Sequence, residues 1–273
     1  MSGGPHNRRE RLRQATVEEI VQVARDLLSE GKSLTLGAVA ARMGLSTPAL
    51  YRYVDNVAAL NVLVAHSLYA DVVDAMAAIV ADYGDDDPAA QMVAAMTIFR
   101  AWAHASKAEF VVGFGVHRNA VESSAHNGLD AHPIVRAALA AAPADGVQRF
   151  ADFFGGIFYR MWQKYPLSRP VKGDLDADFL RAYDQSAPTH GHRLLGADAA
   201  YAVWLFELYW AKLLGIVTLE VFGHIEPRLV AADTLFIAVV REMGDDIGTS
   251  GEADRLARLC RAVSAAHSAG SGR

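Results

Sequence analysis

The chain is poor in several things that would have named a chemistry. It holds one cysteine, Cys260, in 273 residues. An intrachain disulfide framework and a cysteine-based metal site are therefore excluded, and a reducing, cytoplasmic setting is expected. No N-terminal signal pattern is visible, since the first residues are polar and basic. No segment alternates apolar and polar residues between hairpin turns, which argues against a β architecture. The most apolar long window, Val203–Gly223, is interrupted by Glu207, Lys212 and Glu220. It reads as a buried helix and not as a membrane span. His190 with His192, and His126 with His132, have neither the i, i+4 spacing nor the carboxylate of a helical zinc motif, and read as loop histidines. Gly113-Phe114-Gly115 lacks the strand–turn–helix setting of a dinucleotide fingerprint. There is no G-x-S-x-G elbow and no internal repeat. No catalytic residue, metal or cofactor is expected.

Positive charge is also scarce. The net charge is −5, the wrong sign for a protein that clings to a polyanion by charge alone. The distribution is uneven, however. Residues 1–60 carry eight Lys/Arg against six Asp/Glu, and the remainder carries 18 against 25. The N-terminal end is mildly basic and the rest acidic, which would orient the molecule on a negative partner.

What is abundant is apolar and helix-forming sequence. The apolar fraction is 52%, ample for a core, and the alanine-rich segments repeat with a period near 3.6 residues. The fold class expected is all-α.

The most informative stretch is Thr16–Leu60. Thr16 and Glu19 have the spacing of a capping box. Val17, Ile20, Val21, Ala24, Leu27 and Leu28 follow on one face, and Gly31 ends that helix. A second helix starts near Thr35 and buries Leu36, Val39, Ala40 and Met43. Gly44-Leu45-Ser46 forms the turn, with Gly44 at the bend, Leu45 plugging the space between helices and Ser46 as N-cap. Pro48 falls in the first turn of a third helix, whose inner side is Ala49, Leu50 and Val54. Thr47, Tyr51, Arg52 and Tyr53 are left outside. Hydroxyls and a guanidinium on such a face suit phosphates and guanine edges, although each residue singly also suits a solvated surface.

Thr35-Leu36, Val39-Ala40, Gly44-Leu45-Ser46, Leu50-Tyr51-Arg52-Tyr53-Val54 and Leu60 together resemble the N-terminal domain of TetR-family transcriptional repressors over residues 16–63. The resemblance implies that the third helix enters the major groove. It places Tyr51 on DNA backbone or base edges, Thr47, Pro48 and Ala49 against the bases, and Thr35 on phosphate. It also implies an operator of double-stranded DNA, a homodimer and a small-molecule effector. One departure stands out: the family usually has a lysine at the start of the fourth helix, where this chain has Val57. One phosphate contact fewer should lower the salt slope by about one unit. Arg8, Arg9, Arg11 and Arg13 read either as a solvated tail or as a basic arm tracking phosphates.

The domain division expected is a flexible basic arm over 1–13, a DNA-binding head over 14–75, an effector-binding and dimerisation domain over 76–245, and a partly disordered tail over 246–273. A fourth helix, Asp55–Tyr83, ends at the Gly84–Pro88 breaker and would join head to body. Further helices are expected at 89–106, 134–142, 146–165, 176–183, 198–222, 226–243 and 252–266, with loops at 117–133, 166–173 and 185–195. Trp204–Ile225 resembles the C-terminal domain of one TetR subgroup, of actinobacterial type, through Leu214–Glu220 and Phe222-Gly223-His224. The helices at about 198–222 and 226–243 are the expected dimer contact, as an intersubunit four-helix bundle. Surplus aromatics in the middle helices point to an apolar small-molecule site. Phe99, Trp102, Phe114, Phe154, Phe158, Trp162 and Trp204 are its candidate walls, and His117 and Glu207 its candidate polar handles. The function expected is a ligand-responsive repressor. The contrasting reading is a helical carrier or enzyme with a vestigial DNA-binding head.

Overall fold

A computed structural model describes residues 5–115, 146–165, 175–185 and 199–270. Among the described residues the regular structure is entirely helical, in agreement with the all-α expectation. The helices are α1 (Pro5–Ser29), α2 (Leu36–Arg42), α3 (Thr47–Leu50), α4 (Val57–Val80), α5 (Pro88–Ala105), α6 (Lys107–Phe110), α7 (Gly146–Lys164), α8 (Ala177–Gln185), α9 (Ala199–Val221), α10 (Pro227–Ala231), α11 (Thr234–Asp246) and α12 (Ala253–Gly270). The helix expected at 134–142, the loops at 117–133 and 166–173, most of the 185–195 loop, and the four loop histidines lie outside the described residues.

The chain forms two compact units. One comprises Met1–Asp71 with Ser106–Phe150, the other Val72–Ala105 with Ala151–Arg273. The helices α4 and α7 each contribute residues to both.

In the first unit, α1 begins eleven residues before the expected cap at Thr16. The segment from Pro5 onward contains no breaker, and Pro5 itself sits in the first turn, where a missing N–H costs nothing. Thr16 is thus mid-helix, its hydroxyl donating to the Leu12 carbonyl at 2.9 Å. Arg8, Arg9, Arg11 and Arg13 are part of α1 and not of a separate arm. The apolar face of α1 is as expected. Val17, Ile20, Ala24 and Leu27 are buried with Leu36, Val39, Ala40, Leu50, Val54 and Leu60. Arg25 ties three segments together. Its Nε donates to Glu109 at 2.9 Å, its NH1 to Ser67 at 3.1 Å and to Asp71. Burial opposes that charge, but the two carboxylates outweigh it and raise the guanidinium pKa.

Around Tyr69 the same unit holds an aromatic cluster. The Tyr69 ring meets Phe114 and Phe150 edge-on at 4.8 and 5.4 Å, and its hydroxyl donates to the Gly113 carbonyl at 3.0 Å. Phe110 stacks on Phe114 at 5.4 Å. Here α7 starts at Gly146 because the chain passes so close to α4. A Cβ at Gly146 would lie 2.3 Å from the His66 carbonyl oxygen, which no side chain tolerates.

The second unit is built around α5. Asp87 caps it, its carboxylate accepting from the Ala90 N–H at 3.2 Å, and nearly every residue as far as Arg100 is buried. It packs against α12 and α9, and α11 packs against α9 and α12. Arg255 of α12 reaches back to Asp87 through two bonds of 2.7 and 3.0 Å. One expectation is corrected in this unit. The single helix foreseen over 226–243 is two helices, α10 and α11, broken at Ala232–Asp233, where Asp233 adopts a left-handed φ of 54°. A non-glycine residue is held there only at a cost. What holds it is an ion pair with Arg100.

Candidate nucleic-acid interface and internal cavity

The α2–turn–α3 element forms as its local sequence dictates. Thr35 has the extended backbone of an N-cap, and its hydroxyl accepts from the Ala38 N–H at 3.1 Å. Gly44 turns the chain with φ 68°, a conformation that strains any residue with a Cβ. Ser46 occupies the N-cap of α3, but its side chain makes no capping bond, and Leu45 is 36% exposed instead of plugging the gap. The regular part of α3 is one turn, yet its bonds continue: the Tyr51 N–H donates to Thr47 at 3.2 Å and the Val54 N–H to Leu50 at 3.1 Å. Tyr51, Arg52 and Tyr53 therefore extend that turn.

Leu50 and Val54 anchor the inner side at no exposure. Tyr51 is 50% exposed; Ser46, Pro48 and Arg52 are exposed, and Thr47, Ala49 and Tyr53 half-buried. The Arg52 guanidinium rests against the Ala49 carbonyl at 3.4 Å, a long bond that leaves its other donors outward. Neighbouring charge is held in place: Arg42 forks onto Glu30 at 3.0 and 2.6 Å, which with Lys32 brings the Glu30 pKa down to about 2. Arg8, Arg9 and Arg11 are exposed along α1, and Arg13 is half-buried. Val57 is the first residue of α4, capped by Asn56 through a 2.8 Å bond to the Ala59 N–H. It is 38% exposed and offers no charge. The element presents hydroxyls, a guanidinium and a proline edge on one convex turn, chemistry that fits phosphate oxygens and base edges.

The second unit contains a cavity lined by Met92, Met96, Phe154, Phe158, Met161, Phe206, Tyr209, Trp210, Leu213, Met243 and Ile247. Its empty volume with the open mouth is about 410 Å³; the part open to the centre of a water-sized sphere is about 40 Å³, room for a few waters. Of the expected walls, only Phe154 and Phe158 line it. Phe99 is buried and stacks on Trp102. Trp162 is buried beside Phe158, and Trp204 stacks on Tyr201. Phe114 belongs to the first unit's cluster. Glu207 is exposed on α9, and His117 lies outside the described residues. The lining was nevertheless spelled out by spacing. Phe154, Phe158 and Met161 on α7, and Phe206, Tyr209, Trp210 and Leu213 on α9, follow i, i+3, i+4, i+7. Four of the chain's seven methionines stand in this one wall.

Beside it lies a buried ionic network that the sequence did not reveal. The Arg100 Nε and NH2 donate to Glu220 at 2.5 and 3.2 Å, NH1 pairs with Asp233, and NH2 also reaches the Val230 carbonyl at 2.8 Å. His104 Nε2 meets the Glu220 carboxylate at 3.0 Å, so that nitrogen carries a proton. Burial would push the Glu220 pKa up, but His104 and Arg100 together hold it below the ordinary carboxylate value. The network joins α5, α9 and the α10–α11 corner.

On α9, burial is one-sided. Leu205, Tyr209, Leu213, Val217, Glu220 and Val221 face inward. Ala211, Gly215, Leu219 and Phe222 are exposed along another side at helical spacing, with Leu219 at 46% and Phe222 at 55%. Only a third of its most apolar window is buried, so the buried helix expected here hides one face and leaves an apolar stripe on another. By length and composition alone α4 and α9 could each cross a membrane. Leu229 and Leu235, on α10 and α11, are exposed as well.

A helical protein with a convex polar turn at one end of its sequence and an apolar cavity in its other unit matches a known class. The family described as tetracyclin repressor-like, C-terminal domain, matches residues 92–243, more than half of the chain. The chain belongs to the tetracyclin repressor-like family. Comparison with curated proteins gives no match.

Proposed function

We propose that this protein is a DNA-binding transcriptional regulator that acts in the cytoplasm as a homodimer, occupies a palindromic operator, and is released when a small, largely apolar effector enters the cavity of the second unit. The observation that carries the reading is the outward face of Tyr51, Arg52, Thr47 and Pro48 on a helix fixed from behind by fully buried Leu50 and Val54. A side chain that reads base edges must project from a rigid support, and this one does. Family membership supports it, because the matched body is that of a repressor-like regulator.

The dimer is supported by the exposed stripe Ala211, Gly215, Leu219 and Phe222. Small residues allow close helix approach, and two large apolar side chains gain by leaving water. Leu229 and Leu235 extend the apolar surface to α10 and α11, the helices expected from sequence to pair across the two-fold axis. Two heads spaced by about 34 Å would read half-sites one helical turn apart. Release follows from linkage: an effector favouring the dimer state with misplaced heads weakens DNA binding by the same factor by which DNA weakens effector binding.

The deciding experiment is selection of bound sequences from a random duplex pool by the purified protein, followed by titration of the winner at two salt concentrations. A palindromic winner bound far more tightly than random DNA is expected. No enrichment, with the protein folded and dimeric, would overturn the operator reading and move a helical carrier or enzyme to the front.

A further inference from the structure

The cavity also constrains what it holds. We infer that its ligand is an uncharged, mostly apolar molecule carrying one hydrogen-bond acceptor, a carbonyl or equivalent oxygen, which the Tyr209 hydroxyl grips. This rests on the reading above that the cavity is the effector site.

The lining is hydrocarbon, aromatic ring and thioether throughout, with Tyr209 as its polar exception. Tyr209 is 5% exposed, and its hydroxyl has no hydrogen-bond partner among the described residues. A buried polar group left in that state costs the fold its desolvation, on the order of 1–3 kcal/mol, and a native structure keeps one where something binds. The hydroxyl is a donor. Burial first, and the Asp246 carboxylate beside it second, push its pKa up, so the phenol keeps its proton. Asp246 stands outside bonding geometry and so does not absorb that donor.

The electrostatics select against charged ligands. No lining residue is cationic. A positive charge does stand nearby, Lys212 at 5.8 Å from the Tyr209 ring, but it is paired with Glu242 at 2.8 Å. An anion would give up its hydration for nothing and face the carboxylates of Glu242 and Asp246. A bare hydrocarbon would leave the Tyr209 proton unpaired. Size fits a molecule of one or two rings. The space as it stands admits a few waters, and the four methionines, unbranched and easily re-rotated, can open it toward the roughly 300 Å³ and more typical of small-molecule sites.

The test uses three probes of one shape: diphenyl ketone, diphenylmethane and the diphenylacetate anion. Binding is followed through Trp210 fluorescence and the shift in melting temperature, on the full chain and on Tyr209→Phe. In the unaltered protein the ketone should bind roughly five- to tenfold more tightly than the hydrocarbon, the size of one hydrogen bond, and the anion should bind weakest. In Tyr209→Phe the ketone and hydrocarbon should converge, with the hydrocarbon unchanged. Equal binding of ketone and hydrocarbon by the unaltered chain, tightest binding of the anion, or a ketone advantage that survives Tyr209→Phe would each overturn the inference. Absence of binding by all three would overturn it too. In that case the operator titration on the same preparation separates the outcomes: intact sequence-specific DNA binding sinks the ligand class while leaving the regulator standing.

Discussion

Glu220→Gln should be among the most destabilising single-atom changes available in this protein. The Glu220 side chain is 1% exposed, Arg100 is 7% exposed, and the carboxylate accepts from the guanidinium at 2.5 and 3.2 Å and from His104 at 3.0 Å. The amide keeps the volume, but it removes one buried charge and turns one accepting oxygen into a donor facing two donors. Removing one partner of a buried pair costs on the order of 3–5 kcal/mol. Arg100 keeps Asp233 and the Val230 carbonyl, so the lower end, about 3 kcal/mol, is expected. Urea unfolding at one fixed protein concentration reads this directly. With a slope of about 3 kcal/mol/M the midpoint should fall by about 1 M. Arg100→Met should cost at least as much. The double variant Arg100→Met/Glu220→Met should cost clearly less than the sum of the single changes, because the penalty is chiefly for the stranded charge. The pH dependence has a definite sign. The folded Glu220 pKa is lowered, so its contribution is complete above the unfolded carboxylate value of about 4.3 and disappears as pH falls through the lower folded value. The gap between the unaltered chain and Glu220→Gln should therefore shrink in acid below about pH 4. Single changes that each cost under about 1 kcal/mol, or a double that costs their full sum, would refute the account of Arg100 as the tie between α5, α9 and the Asp233 corner.

Three further outcomes are expected. Tyr51→Ala should abolish specific DNA binding while circular dichroism and mass in solution stay unchanged, and Arg52→Ala should cost about 1–3 kcal/mol on the selected operator with little change on random duplex; equal losses on both would show that Arg52 holds only phosphate. Val57→Lys puts a cation at the exposed first turn of α4 and should steepen the salt dependence of DNA binding by about 0.9 per phosphate gained; an unchanged slope would show that this turn does not reach the backbone. Leu219→Glu places a charge in the exposed α9 stripe and should convert the dimer to a folded monomer in sedimentation, with operator affinity falling alongside; a dimer that persists would move the interface elsewhere.

The sequence displayed most of the helices because their causes are local. Thr35, Asn56 and Asp87 bond the first turns of α2, α4 and α5, Gly44 bends where only glycine is unstrained, and the apolar faces repeat at about 3.6 residues. The errors arise where a distant group overrides such a signal. Thr16 and Glu19 have the spacing of a capping box, but nothing upstream stops a helix that Pro5 can start, so the box is absorbed into α1. Residues 226–243 keep one helical period, and the break at Asp233 is imposed by Arg100, more than a hundred residues earlier. No window of sequence contains that pair.

The two functional regions differ in legibility for the same reason. The α2–turn–α3 element is a run of about twenty residues, and its exposed and buried sides follow from helix period alone, so the outward placement of Tyr51 and Arg52 is legible in the sequence itself. The cavity is assembled from α5, α7, α9 and α11. Aromatic content pointed to those helices, yet the choice between wall and core is made by which face of each turns toward the others. Phe99 and Trp162 went to the core, while Phe206, Tyr209 and Trp210 went to the wall. A charged residue such as Glu207 stands out in an apolar stretch and so reads from sequence as the polar handle. The structure puts Glu207 in solvent and leaves a tyrosine hydroxyl unpaired inside, as burial physics requires. An unpaired carboxylate could not be kept in that lining at neutral pH, whereas a phenol can wait there at a cost that one ligand oxygen offsets.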